Sequence, residues 1–259
     1  MTNAIEISNM SFAYKDAGQT HLAIENANLQ INRGEFVCLI GHSGCGKTTL
    51  LNLIAGLERP TVGGIIANGK PVAGPGTDRA MVFQHYSLFP WMTVIKNVAF
   101  SIAHSKHGKA LSKEETLCRA KAALTQVGML DSSDKYPFQL SGGMQQRVAI
   151  ARALAMESEI LLMDEPFGAL DARNRARLQA LLEEVWSAGS NDRTAVFVTH
   201  DLDEAILLAD RIVFMRPGRV ERVIEVDLPR PRTNGDFTSL PGYHELRDEL
   251  LSLFYMDED

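Results

Sequence analysis

The chain has 259 residues, 45% hydrophobic and 22% charged, enough to bury the core of one large α/β domain or of a domain with a subdomain. Its formal net charge of −6 argues against a general nucleic-acid binder, because neutralising phosphates needs a basic face, and no nucleic-acid partner is expected. No run of ~18 apolar residues occurs, which excludes a transmembrane helix.

Residues 1–6 lack the basic and apolar regions of a signal peptide. Cys38, Cys45 and Cys118 show no metal-binding spacing, and an odd count reads as reduced cytoplasmic thiols. Ile5, Ile7, Met10 and Phe12 are separated by polar residues, and a second such run covers residues 22–31; both predict antiparallel strands. Phe36-Val37-Cys38-Leu39-Ile40 is uninterrupted and apolar, as in a buried parallel strand, and similar runs recur at 80–83, 160–163, 195–198 and 212–215. Leu178, Leu181, Leu182, Val185 and Trp186 mark one face of a helix. Strands alternating with helices predict a mostly parallel sheet, while residues 94–157 hold only helical periods and read as an inserted helical segment. Pro229-Arg230-Pro231-Arg232 reads as a linker. Beyond it Tyr243, Leu246, Leu250, Leu253 and Phe254 form the stripe of a docked terminal helix.

Three segments carry chemistry. Gly41-His42-Ser43-Gly44-Cys45-Gly46-Lys47-Thr48 fits a Gly-x4-Gly-Lys-Thr phosphate loop, and it stands between a buried strand and a helix beginning at Thr49. Its glycines let backbone N–H groups turn toward phosphate oxygens at a helix N-terminus. Lys47 is expected to reach the β- and γ-phosphates of ATP, and the Thr48 hydroxyl to ligate Mg²⁺. A glycine-rich helix cap would explain the glycines but not Lys47 and Thr48 between those flanks. The run 160–165 ends its strand in Asp164 and Glu165, two acids at the carboxyl edge of a sheet, where open α/β sheets bind ligands. Asp164 is expected in the Mg²⁺ shell, and Glu165 to orient or deprotonate the attacking water. Third, Leu140-Ser141-Gly142-Gly143-Met144-Gln145-Gln146-Arg147 opens a helix with a hydroxyl and free N–H groups aimed at an anion.

With that octet in place, the chain resembles the ATP-binding-cassette ATPases over about residues 5–222. The resemblance implies a P-loop NTPase with a RecA-like parallel-sheet core, an antiparallel β flank and an inserted helical subdomain. It implies that Ser141, Gly142, Gly143 and Gln145 close on ATP held by a second copy or a paralogous subunit. Tyr14 matches the aromatic that stacks on adenine. Gln84 matches the glutamine that touches Mg²⁺ and water, Asp171 the loop communicating between the two sites, and His200 the histidine at the γ-phosphate. Residues 88–94 and 166–171 are similar to those of importer ATPases for nitrate, sulfonates or taurine. The aromatic cluster Phe89, Pro90, Trp91 stands where such cassettes dock a transmembrane permease; packed subdomain core would look the same. The resemblance further implies an extracytoplasmic solute-binding protein and a peripheral place on the cytoplasmic face of the membrane. Residues 1–228 are expected to form the cassette, with the helical subdomain at about 88–157, and 229–259 a linker and helix. The alternatives are a soluble cassette ATPase of DNA repair or translation, or the ATPase of an exporter or amino-acid importer. Cys45 needs no role beyond a small side chain that fits its loop, although a helix N-terminus lowers thiol pKa.

Overall fold

The computed structural model describes residues 3–16, 19–187, 193–233 and 237–255. In chain order the elements are β1 (Asn3–Asp16), β2 (Gln19–Asn32), β3 (Phe36–Gly41), α1 (Lys47–Ala55), β4 (Val62–Ala67), β5 (Lys70–Pro71), β6 (Arg79–Val82), α2 (Val94–Ala103), α3 (Lys113–Gln126), α4 (Gly142–Ala155), β7 (Ile160–Asp164), α5 (Ala172–Ser187), β8 (Thr194–Val198), α6 (Leu202–Leu208), β9 (Arg211–Arg216), β10 (Arg219–Glu225) and α7 (Tyr243–Tyr255). The chain forms two compact units, Met1–Gly76 with Leu182–Asp259, and Thr77–Leu181.

In the first unit, β1 pairs antiparallel with both β2 and β4. Ile5 and Ile7 are buried by simple alternation; Asn9 then takes a left-handed turn (φ 45°) and the register slips between Ile7 and Met10. That bulge returns the apolar phase to the core, so Met10 and Phe12 are buried as the sequence predicts. β3 is buried along its whole length because β8 and β9 flank it in parallel. β9 pairs on its other edge with antiparallel β10. Along α7, Tyr243, Leu250 and Leu253 are buried.

The second unit holds a parallel pair, β6 with β7, and the helices α2, α3 and α4. α3 starts in a reciprocal cap, Ser112 Oγ accepting from Glu115 N–H while Glu115 Oε2 accepts from Ser112 N–H at 2.7 Å. It ends where two guanidiniums meet its last carbonyls: Arg147 donates to Val127 and Gly128, and Arg177 to Gln126. Gly128 follows in the left-handed region (φ 66°), with Arg177 lying where a β-carbon would stand.

Candidate functional site

The phosphate-loop residues lie in the first unit. Gly41 closes β3 with φ 146°, and a β-carbon there would stand 2.2 Å from the Met215 carbonyl oxygen on β9, so only glycine fits. The loop then turns through Gly44 (φ 78°) and Gly46 (φ 107°) into α1, with Leu50 N–H donating to Gly46 O at 2.8 Å. Ser43 and Gly44 are exposed, Cys45 is buried, and Thr48, in the first turn of α1, is exposed. Lys47 is folded back. The residue is only 8% exposed, and its ammonium donates to Gly41 O (2.7 Å) and His42 O (2.9 Å) and lies 3.7 Å from Cys45 Sγ. Among the described residues it forms no ion pair with a carboxylate. A buried cation held by two carbonyl oxygens and a thiol is poised for an anion.

Tyr14 stands near the end of β1, 41% exposed, with its ring edge-on to Phe12 and its hydroxyl 3.1 Å from Thr49 Oγ1. One element thus brings Tyr14 against the phosphate-loop helix, and the exposed ring leaves area for a planar group. His200 follows β8 and is exposed. Its neighbour Thr199 is buried, donating to Glu204 at 2.8 Å, and Asp201 caps α6 through Asp203 N–H and Glu204 N–H. These bonds fix the backbone on both sides of the histidine.

The second unit assembles the other residues. Asp164 ends β7 and is buried at 4% exposure, while Glu165 turns out of the strand with φ 43°. A non-glycine residue in the left-handed region costs roughly 1–3 kcal/mol and persists only where its surroundings hold it. Gly168 N–H closes the turn onto Glu165 O, and Gln84 Nε2 donates to Glu165 Oε2 at 3.3 Å, so glutamine and carboxylate face one another. Ser141 caps α4, its hydroxyl accepting from Met144 N–H at 3.4 Å, and Gln145 Nε2 donates to Leu140 O. Both helix-opening glycines are in close quarters. A β-carbon on Gly142 would meet the Tyr86 hydroxyl at 2.6 Å, and one on Gly143 the Ala169 carbonyl oxygen at 3.1 Å. Asp171 accepts from Asn174 N–H and Nδ2–H at the start of α5; these bonds hold its carboxyl below the usual carboxylate range. Gln84, Tyr86, Glu165, Ala169 and the 141–145 turn therefore share one neighbourhood.

Thr48 of the first unit offers a hydroxyl, and Gln84 and Asp164 of the second an amide oxygen and a carboxylate, each an oxygen donor of the kind Mg²⁺ takes. Among the described residues no three His, Cys, Asp or Glu side chains gather to hold a metal by themselves. Tyr86 escaped the sequence reading; its only trace there is Gly142, which makes room for it.

A family profile for the ABC transporter matches residues 24–168, more than half of the chain. The chain belongs to the ABC transporter family. As an ABC cassette it is 44% identical over 258 residues to the nitrate transport protein NasD of Klebsiella oxytoca, covering 98% of this chain and 97% of that protein. It is 49% identical over 251 residues to the bicarbonate transport ATP-binding protein CmpC of Synechococcus elongatus. That match takes in 96% of this chain, which spans only 37% of CmpC. The dimeric, post-hydrolysis structure of the ATP-binding cassette MJ0796 bound to ADP and Pi superposes with a TM-score of 0.78 at 35% identity, covering 86% of this chain and 98% of that one. The parallel β3, β8, β9 set, the antiparallel flank and the helical run 94–155 are the architecture expected of a P-loop cassette. Among the described residues no helix is long and apolar enough to cross a membrane.

Proposed function

We propose that this cassette hydrolyses ATP to drive a membrane importer for a small oxyanion. The observation that carries the ATPase is Lys47, a buried ammonium resting on its own loop's carbonyls with no carboxylate paired to it among the described residues. Offered a triphosphate, Lys47 exchanges two neutral acceptors for charged oxygens, and the N–H groups of the loop and of α1 turn to the same anion. Tyr14 stacks on the base. Glu165 orients the attacking water and accepts its proton, steered by Gln84, with His200 at the γ-phosphate; general-base help of this kind is worth ~10²–10⁴ in rate, roughly 3–5 kcal/mol. Thr48, Asp164 and Gln84 would hold Mg²⁺, which when bound would supply positive charge to the phosphates. Ser141, Gly142, Gly143 and Gln145 close on the nucleotide of a second copy or a paralogous subunit, with Asp171 communicating between the sites.

Support for the importer comes from NasD, related over nearly the whole of both chains, and from CmpC. Nitrate and bicarbonate are both small planar oxyanions, so the solute is of that class, with sulfonates and taurine next. A transmembrane permease and an extracytoplasmic solute-binding protein complete the assembly, and the cassette sits peripherally on the cytoplasmic face. The permease contact is the surface of Phe89, Pro90 and Trp91. Trp91 is 68% exposed beside Phe89, and buried Asn97 laces that loop by bonding Phe89 N–H and the carbonyls of Phe89, Met92 and Thr93. Residues 1–228 form the cassette with its helical subdomain at about 88–157, and 229–259 follow as a C-terminal segment that contains buried Arg232 and α7.

Glu165→Gln tests the chemistry. The amide cannot take a proton, so ATP binding should persist while turnover falls at least about 100-fold. An ATP-bound dimer should accumulate on size-exclusion chromatography. Near-normal turnover of the purified variant would remove Glu165 from the reaction.

A further inference from the structure

The phosphate loop has a neighbour that the reaction does not use. The His42 ring lies edge-on to Phe254 of α7 (centroids 5.0 Å apart), and His42 Nε2 is 3.2 Å from the Phe254 carbonyl oxygen. Phe254 stands one residue from the end of α7, where carbonyls lack intrahelical partners and carry the helix's partial negative charge. An Nε2–H tautomer of His42 satisfies one of them. The same phenyl ring packs edge-on against Phe214 on β9 (5.1 Å), the strand that abuts Gly41. α7 is anchored at its other end and middle. Tyr243 Oη–H and Arg247 Nε–H both donate to Asp203 Oδ1 (2.7 and 3.0 Å), and Arg222 pairs with Glu249 at 2.9 Å. His42 is not a bystander, because its own carbonyl oxygen holds the Lys47 ammonium.

We propose that the last turn of α7 positions the phosphate loop for the triphosphate. Phe254 holds the His42 ring and, through the His42 backbone, fixes the start of the loop and the resting place of Lys47. The inference rests on reading residues 41–48 as the phosphate loop and assigns Phe254 and His42 as positioning residues, neither of them in contact with the reacting atoms. A loop held in its binding path loses less freedom when phosphate arrives, so the contact raises affinity. Coupling is reciprocal: nucleotide must tighten the seating of α7 by the factor by which α7 tightens nucleotide.

The test is a double-mutant cycle on the full chain, with ATP–Mg²⁺ as probe and Kd read by calorimetry. Phe254→Ala and His42→Ala should each weaken ATP by roughly 5-fold, the low end of common coupling factors, and the double variant by little more than either alone. In wild type, saturating ATP should slow hydrogen exchange at the amides of Leu253 and Phe254. Unchanged Kd in Phe254→Ala, or fully additive losses, would overturn the proposal, as would a lowered thermal midpoint with unaltered affinity. Should Phe254→Ala fail to fold, Phe254→Leu, which keeps apolar bulk but no ring face for His42, takes its place in the cycle. Failure of wild type to bind ATP, or undiminished binding by Lys47→Ala, would defeat the phosphate-loop reading and this inference with it. Loss of binding in Lys47→Ala alone would defeat only the role of α7.

Discussion

At Gly142 a β-carbon would stand 2.6 Å from the Tyr86 hydroxyl oxygen and 3.4 Å from the ring carbon that bears it. Two effects oppose one another in Gly142→Ala. Replacing glycine by alanine inside a helix is worth roughly 0.5–1 kcal/mol in favour of folding, whereas Tyr86 must move to admit the methyl group. The obstacle is the free end of a side chain, so folding should survive, with a thermal midpoint unchanged or raised. Tyr86 lies two residues beyond Gln84, however, in a turn where Tyr86 and Ser87 both have positive φ (33° and 47°). Displacing it misplaces both the glutamine and the 141–143 turn, so ATPase activity should fall about tenfold or more. Adding Tyr86→Phe removes the oxygen that clashes. ATPase assays of the double variant should show activity recovered; if it stays as low as the single, the clash is not the cause. Most of the groups assigned to the proposed reaction were legible in the sequence, since Lys47, Thr48, Asp164 and Glu165 sit in ordered motifs with the right flanks. Tyr86 was not, because nothing in its local spacing announces contact with a glycine 56 positions away.

Arg232 shows the same limit for an element. Pro229-Arg230-Pro231-Arg232 has a linker's composition, yet Arg232 is only 2% exposed. Its guanidinium donates to the carbonyls of Ile206, Leu207 and Ala209, closing the C-terminal end of α6, and to those of Val226 and Leu228 after β10. Buried Glu183 of α5 accepts from Arg232 N–H and from the N–H and hydroxyl of Thr233. Burial and neighbouring Arg230 lower the guanidinium pKa to about 10, which leaves it charged at neutral pH. Arg232→Ala would strand several buried acceptors at roughly 1–3 kcal/mol each, less whatever entering water restores. A net loss of about 3–5 kcal/mol and a drop in thermal midpoint of ~6–20 °C are expected from calorimetric melts. A drop under about 2 °C would show the clamp to be dispensable. Elements with strong periods, such as β3 and α4, were readable because their own apolar residues specify them. β4 was not, since two of the six residues of Val62-Gly63-Gly64-Ile65-Ile66-Ala67 are glycine and only Ile65 and Ala67 are buried; its partner β1, not its own pattern, makes it a strand.

For the whole molecule the decisive question is whether one chain suffices. Each half of the proposed chemistry ends in a helix N-terminus that offers N–H groups, α1 after Gly46 and α4 after Ser141. The related cassette MJ0796 forms a dimer in the presence of ADP and Pi. If every ATP is shared between Lys47 of one copy and Ser141 of the other, defects must complement in a defined pattern. Lys47→Ala removes the ammonium from its own copy's site, and Ser141→Arg puts bulk and charge where a phosphate is offered to the partner. Both homodimers should be inactive. A heterodimer of the two single variants has one site carrying both defects and one site carrying neither. It should regain up to about half the wild-type ATPase activity if the sites act independently, and less if they are coupled. The control is a heterodimer of wild type with the double variant, in which each site carries one defect and none is whole. Two affinity tags, one on each copy, remove residual homodimers before activity is measured. Recovery in the first heterodimer with silence in the second requires that residues from two copies meet on one nucleotide. The reverse pattern would mean that each chain hydrolyses ATP alone, and the shared-site reading of Ser141, Gly142 and Gly143 would fall.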